Sequence, residues 1–508
     1  MKRQMNANIN CSDERLDHLI TLLKHFAITL RQYGIITLAT FMITVIFLCS
    51  CSKFVEVEAP KTSINQENVF SNDATATAIL TGIYIKMSGR NLSSIGGIST
   101  IPFVTGLSGD ELILYNNVNN PIYIAYYQNS LTTSNVGAQD YWNELYKTIY
   151  TCNSAIEGLD KATSISPIVK KQLLGESKFI RALNFFYLLN LYGDLPITRT
   201  TDYSINGTLN RSPKSQVYEL IIQDLLDALN LLTDNYVDNS LVNPTSERVR
   251  PNVWAAKALL ARVYLYNKNY VEAENMASQV INNTALYHLN ALNEIFLKNS
   301  AEAIWQLQPV NNDFNTEDAR FFIIPQTGLS DQWPVYLSQQ LLSSFETGDR
   351  RKTQWLGFFV DTTITPHKTY YYPFKYKVSE RYEPVTEYAT VLRLGEQYLI
   401  RAEARAQLGK LTEAADDLYS IRERAGLGKV IPSSQLAMLE AILHERQVEL
   451  FTEWGHRWLD LKRFKKVDEV MTIVTPLKGG VWSTNWQLYP IPEADMRFNP
   501  NIIQNPGY

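Results

Sequence analysis

Hydrophobic positions recur at helical spacing over most of the chain, and one stretch concentrates them. From Lys171 to Ile197, KQLLGESKFIRALNFFYLLNLYGDLPI, good helix formers fill the first half. Apolar and aromatic side chains crowd the second: Phe179, Ile180, Leu183, Phe185, Phe186, Tyr187, Leu188, Leu189, Leu191 and Tyr192. Such density exceeds a single stripe, so the pattern predicts one long helix buried on more than one side. Gly193 is placed to close it in a left-handed conformation, and Pro196 prevents it from resuming. Taken alone, these residues describe the core helix of an all-helical domain.

The flanking sequence supplies the helices that would bury it. Phe70 to Met87 carries apolar residues at helical spacing after a run of capping residues. Ser88 to Ala138 has no clean period and predicts loop. Helices return from Tyr141 and again after Ser212-Pro213, a good start signal. Between Arg250 and Asn282 two short helices flank Asn267-Lys268-Asn269, in an A-x-x-L-L-A-x-x-Y spacing that places small residues where helices cross. That is the tetratricopeptide pattern. It recurs at Glu396–Gly426, with Gly409 at the turn and Ala402, Ala406, Ala414 and Ala415 at the crossing positions. LEAILHERQVELFTEWGHRWLDLKRF adds a further pair.

Residues 287–390 differ in kind. AEAIWQLQPV alternates like a strand and TYYYPFKYKV is β-like. Twelve of the 50 residues from Trp333 to Tyr382 are aromatic, against 11% for the whole chain. Doubled aromatic density in an irregular segment makes either a satellite core or a binding surface. The terminal LYPIPEADMRFNPNIIQNPGY, rich in Pro and Asn, predicts an ordered strap across the surface.

The N-terminus changes the picture. Residues 34–48, GIITLATFMITVIFL, are uncharged and follow Lys24 and Arg31. The run is short for a membrane span and suits a signal-peptide core, with a short transmembrane anchor as the alternative. Leu48-Cys49-Ser50-Cys51 then has the form of a bacterial lipobox, with Cys51 as the first mature residue and its thiol as the lipidation site. Several acyl chains hold a protein on a membrane where one does not. Residues 1–30 make an overlong leader with Asp13, Glu14 and Asp17, which suggests a start codon set too far upstream. The expected organisation is therefore a leader and signal peptide over 1–50, a lipidated tether over 51–67 and a single domain over 68–508. Within that domain the helical repeats fall mainly at 139–283 and 391–465, with the insertion at 287–390. The mature chain keeps only Cys51 and Cys152, so no disulfide framework is available. Its 42 basic and 48 acidic residues form no basic stripe, which argues against nucleic acid as a partner.

By their order and spacing, these segments resemble the SusD/RagB family of surface glycan-binding lipoproteins. The residues that carry the likeness are Cys51, SGDE at 108–111, GESKFIRALNFFYLLNLYGDLPI at 175–197 and TGDRR at 347–351. They continue with LRLGEQYLIRAEARAQLGK, ERQVELFTEWGHRWLDLKRF and the terminal YPIPEADMRFNPNIIQNPGY. The resemblance implies a mostly α fold, with about four tetratricopeptide-like helix pairs as a scaffold and the loop-rich, partly β insertion packed on one side. It further implies a cell-surface location on the outer membrane and a TonB-dependent transporter of the SusC type, over which the lipoprotein sits as a lid. Some relatives are thought to serve peptide import, so a peptide is the alternative cargo.

Catalytic signatures are absent. There is no G-x-S-x-G, no H-E-x-x-H, no Walker loop and no cysteine pair at zinc spacing. The mature histidines, at 288, 367, 444 and 456, do not cluster in sequence. Glu445, Arg446, Glu449, Glu453, Arg457 and Asp460 resemble the family's charged helix-pair signature and read as a paired structural network. A glycosidase pair can be distant in sequence, so carboxylates alone do not exclude one; the resemblance implies a non-catalytic protein, and the residues name no cofactor and no catalytic or binding metal, which leaves a structural metal ion open.

Sugar rings present C–H faces to aromatic rings, and hydroxyls to amides and carboxylates. Two stretches combine these side chains. Asp110 to Tyr127 offers Tyr115, Asn116, Asn117, Tyr123, Tyr126 and Tyr127, and Asn311 to Tyr372 offers Trp333, Tyr336, Trp355, Tyr370 and Tyr371. In similar proteins the glycan lies on loops from these two regions. For any one ring, packing explains its presence as well as ligand contact does. Trp333, between Gln332 and Pro334 in a turn-like segment, is the leading platform. Trp355 is the weaker one because an apolar run follows it. Asp110 and Glu111 match an ordered family motif and read as structural.

Overall fold

The computed structural model describes residues 18–31, 34, 69–89, 98–134, 136–310 and 313–508. Within the unit formed by residues 1–65, residues 18–31 are helical and exposed. Cys51, its lipobox and the following tether lie outside the described residues. Everything below belongs to the unit of residues 66–508.

In chain order that unit opens with helices α1 (Asp73–Ser88), α2 (Ile101–Ser108), α3 (Pro121–Tyr127), α4 (Val136–Lys161) and α5 (Pro167–Tyr192). Helices α6 (Lys214–Leu231), α7 (Val253–Tyr266) and α8 (Tyr270–Ile281) follow, with α9 (Glu317–Phe322) inside the insertion. The scaffold resumes with α10 (Leu394–Gln407), α11 (Leu411–Arg424), α12 (Gln435–Glu449) and α13 (His456–Arg463). Strands are few and short.

Helix α5 is the predicted core element, though it starts earlier than Lys171 and stops before Pro196. Pro167 begins it with a preset φ, and Asp73 of α1 accepts hydrogen bonds from Ser166 N (2.8 Å) and Oγ (2.7 Å) at its start. Gly193 ends it at φ +81°, its N–H donating to Leu189 O. Every residue from Phe179 to Leu189 is buried, which a single-sided helix does not do; α4 and α6 both pack against it. Arg181 crosses all three, donating to Asp224 of α6 (2.8 and 2.7 Å) and to Asn153 Oδ1 of α4 (2.7 Å).

The helices then pack on one another in sequence, α6 on α7, α7 on α8, α8 on α10 and α10 on α11. Among the described residues, α4/α5, α7/α8, α10/α11 and α12/α13 make helix pairs in contact. The turns use Lys268 (φ 61°) and Gly409 (φ +77°), as the spacing predicts. Ala402, Ala406 and Ala414 are fully buried at the α10/α11 crossing, and Ala415 nearly so. Small residues there let the helix backbones approach closely.

Three expectations need correction. The Ser88–Ala138 stretch is not simply loop, because it holds α2, β1 (Leu112–Leu114) and α3. All eight residues of α2 are buried, so no polar face marks its period. Strand β2 (Ala303–Leu307) is buried at all five positions rather than alternating. It pairs antiparallel with β6 (Ala389–Arg393), clamping the two ends of the insertion together. The terminal strap contains a short helix, Glu493–Phe498. Asn505 Nδ2 ties the strap to Tyr192 O (2.9 Å) and Tyr489 O (2.8 Å).

Candidate functional site

The two aromatic stretches meet through β1, which pairs antiparallel with β3 (Val335–Leu337), placing Ile113 opposite Tyr336. Next to β3 lies the hairpin of β4 (Leu356–Asp361) and β5 (Lys368–Pro373). Pro373 ends β5 within TYYYPFKYKV, as proline lacks the ladder donor. Tyr370 of β5 meets Tyr336 edge-to-face at 4.9 Å and Tyr115 at 6.3 Å, and Lys368 Nζ lies 4.7 Å from the Tyr370 ring centre.

Trp333 sits in a tight turn closed by reciprocal backbone bonds with Ser330. Its Nε1 donates to Arg320 O at 3.0 Å, which pins the indole edge to α9 and leaves the ring half-buried. That ring lines an open cleft of about 720 Å³. Facing it are Phe314, Asp331 and Gln332, with Glu380 and Arg381 from the loop before β6. The Arg320 and Arg381 guanidiniums lie 4.7 and 5.3 Å from the Phe314 ring centre, a cation–π arrangement that orients both. Arg320 also pairs with Glu317 at 3.1 Å. Behind the cleft, Phe321 stacks edge-on against Phe103 (4.7 Å), and Phe103 against Tyr123 (5.0 Å).

Not every predicted residue reaches this surface. Trp355 is fully buried, its Nε1 donating to Leu292 O at 2.9 Å; it is a core ring, not a platform. Tyr126 is likewise buried, against Tyr489 at 5.3 Å. Tyr123 and Tyr370 are buried as well; burial, with Asp331 nearby, pushes the Tyr123 hydroxyl up to about 12. Tyr115, Tyr127 and Tyr336 are half-buried, whereas Asn116 and Asn117 are exposed. Tyr371 points to the other face of the hairpin, beside Phe358. Sequence reasoning missed Phe314, Glu380 and Arg381. No sequence signal marks them: the two loops are held together by a backbone bond, Tyr382 N–H to Asp313 O (2.8 Å), with Tyr382 at φ 63°.

Asp110 and Glu111 lie inside. Arg457 donates to both Asp110 oxygens (2.8 and 2.6 Å). Burial raises the Asp110 carboxyl, but Arg457 outweighs it and leaves the group below its ordinary value. Glu111 accepts from Thr452 N at 3.2 Å, and burial, with Asp110 beside it, pushes it up to about 8. Among the described residues no group of three His, Cys, Asp or Glu side chains is arranged to hold a metal ion. The cleft combines a fixed indole, guanidiniums, carboxylates and an amide, a set suited to binding a polyhydroxyl ligand.

A helical-repeat scaffold carrying an aromatic cleft on its insertion defines a class, and comparison with known proteins gives the family. Residues 302–508 match the SusD family, and residues 53–265 match a SusD-like family described as starch-binding and associating with the outer membrane. The chain belongs to the SusD/RagB family, whose members bind carbohydrate in association with the outer membrane. It is 23% identical to SusD-like protein P25 of Formosa agariphila, over 91% of this chain and 98% of that one. A SusD superfamily protein from Bacteroides vulgatus shares its fold, with a TM-score of 0.73 at 20% identity over 86% of this chain and 99% of that one. A laminarin-binding SusD-like protein superposes with a TM-score of 0.69 at 22% identity, covering 86% of this chain and all of that one (100%).

Proposed function

We propose that this protein is a non-catalytic lipoprotein, anchored through Cys51 on the cell surface. It captures a neutral glycan in the Trp333 cleft and delivers it to a SusC-like TonB-dependent transporter in the outer membrane, for which it acts as the lid. The observation that carries this reading is the Trp333 indole, fixed edge-on by Arg320 O and open to a cleft of about 720 Å³. The fixed ring stacks on sugar C–H faces. Arg381 and Gln332 donate to ring and hydroxyl oxygens, while Asp331 and Glu380 accept from hydroxyls. Charges of both signs line the cleft, which suits a neutral polyol better than an ion. The laminarin-binding neighbour and the starch-binding description of the family support the same ligand class.

Calorimetry with laminarin and starch oligosaccharides, followed by a wider panel of neutral glycans, tests the assignment. Trp333→Ala is expected to cost about 2 kcal/mol of binding, as removal of an interface anchor does, with its melting temperature unchanged. Binding should vary little between low and high salt, because no counterions are released. Intact affinity in that variant, or lost affinity with a collapsed melt, returns Trp333 to the core. The anchor is tested separately. Cys51→Ala should disappear from the outer-membrane fraction as uncleaved or soluble protein; acylated mutant protein recovered with that membrane rules out Cys51.

A further inference from the structure

A second groove, sharing no lining residue with the Trp333 cleft, lies between α4, the loop of residues 196–207 and the terminal strap. It encloses about 370 Å³. Trp142 and Tyr146 of α4, tilted against each other with ring centres 4.9 Å apart, line it. Tyr203 and Phe498 stand in its lining, each 87% exposed, more than any other described aromatic side chain. Rings so exposed on a soluble surface forfeit burial, so their position calls for a reason.

The supports of both rings are tightly bonded. Glu157 of α4 accepts from Thr201 N (2.9 Å) and Oγ1 (2.6 Å), while Asp202 caps the short helix that carries Tyr203. On the other side, Asn499 donates to Leu209 O (2.8 Å) and Asn501 to Thr208 O (2.9 Å), locking the strap against the same loop. Such pre-organisation lowers the cost of binding. Asn206 lines the groove with Nδ2 committed to Thr200 O (2.7 Å) and with Oδ1 buried and unpartnered among the described residues. That oxygen is shielded from the groove, so the amide serves to hold the loop in place rather than to meet a ligand.

The lining chemistry narrows the occupant. No Lys, Arg or His lines the groove, which disfavours phosphates, nucleotides and acidic peptides. Its one carboxyl, Asp495, accepts from Trp142, and burial raises it. Thr198 adds a hydroxyl to the lining, and the Thr201 oxygen, its proton given to Glu157, can still accept; the Asn206 and Asn499 amides are spent on the backbone. The volume lies at the small end for ligand clefts, which run from about 300 to 1,000 Å³. We propose that this groove is a second saccharide subsite, clasping a short neutral pyranose segment between Tyr203 and Phe498. It takes the ligand class from the glycan-binding reading but does not depend on the Trp333 cleft. Two subsites on one chain would engage a polysaccharide with avidity that a short oligosaccharide cannot exploit.

The test uses the full chain in four forms: wild type, Trp333→Ala, Tyr203→Ala/Phe498→Ala, and all three changes together. Each is run in affinity gels containing laminarin, starch or another neutral polysaccharide, and titrated with oligosaccharides cut from the one that binds. The double variant should lose about a hundredfold or more in retention by polysaccharide, as loss of one linked site does, while its oligosaccharide affinity at the cleft stays as in wild type. Trp333→Ala should retain weak binding that the triple variant abolishes. Both rings project into solvent, so the melt should not move; if it does, Tyr203→Ala alone carries the comparison. A double variant matching wild type on every glycan overturns the subsite and leaves the cleft standing. Binding that survives Trp333→Ala untouched and vanishes in the double variant removes the cleft and keeps the groove. Unchanged glycan binding with lost co-purification of a membrane partner makes the groove a protein-docking face and overturns the proposal.

Discussion

Glu449→Gln is expected to destabilise the fold by about 3–5 kcal/mol, the cost of stripping one partner from a buried ion network. Glu449 ends α12 and accepts from three guanidiniums: Arg351 (2.9 Å), Arg393 (2.7 Å) and Arg424. Those arginines come from the TGDRR segment, the end of β6 and α11, so one carboxylate joins the insertion to two scaffold helices. Arg351 and Glu449 are fully buried. Glutamine preserves the volume and removes the charge, leaving three cations short of an anion. Burial raises the Glu449 carboxyl, yet Arg424, Arg393 and Arg351 outweigh that and hold it far below the ordinary range. Glu453 and Asp460 are lowered in the same way, burial being overcome by Arg393 and Lys375 for one and by Arg446 and Arg463 for the other. A depressed acid contributes stability above its unfolded pKa and loses it as pH falls through the folded value. Wild type should therefore weaken progressively below about pH 4, and Glu449→Gln should flatten that acid limb. The exposed Arg497–Glu493 pair is the control, where Glu493→Gln should cost at most about 1 kcal/mol. Urea melts in which the two variants behave alike would falsify the central role of Glu449.

The charged signature of α12 and α13 was legible as a structural network, because Glu445, Arg446, Glu449, Glu453, Arg457 and Asp460 cluster in sequence. Several of its partners were not, since Arg351, Arg393 and Glu302 lie from about 50 to 150 residues upstream and only the fold brings them in. The helical repeats were readable because burial on one face imposes a period. Helix α2 was missed, and strand β2, though expected, lacks the expected alternation, for the opposite reason: wholly buried elements lose the polar positions that mark a period. The tryptophans show the limit most directly. Trp333 and Trp355 both follow polar residues, but Trp355 points its N–H at Leu292 O inside the core and Trp333 points its own at Arg320 O beside open solvent. Exposure depends on what packs from elsewhere, which no local pattern contains.

Phe186→Ala probes the organising helix itself, and a loss of about 3–5 kcal/mol is expected from transfer and cavity terms together. Phe186 is 1% exposed. Its ring meets Tyr266 of α7 edge-to-face at 5.0 Å and its neighbour Tyr187 at 5.5 Å. Truncation therefore removes contacts on α5 and on the next repeat together. Helices this closely packed relax only partly into the space left behind. The residue unit 66–508 is large, and that decides how the effect must be read. At about 2.1 cal/mol/K per residue, roughly 440 residues unfold with an entropy near 0.9 kcal/mol/K. The predicted loss then moves the melting temperature by only about 3–5 °C if the unit unfolds cooperatively. Chemical denaturation is the better readout, with a lower midpoint and an unchanged slope. Phe186→Leu, which keeps most of the volume, should cost less than about 1.5 kcal/mol. If both substitutions leave the midpoint where it is, α5 does not organise the core.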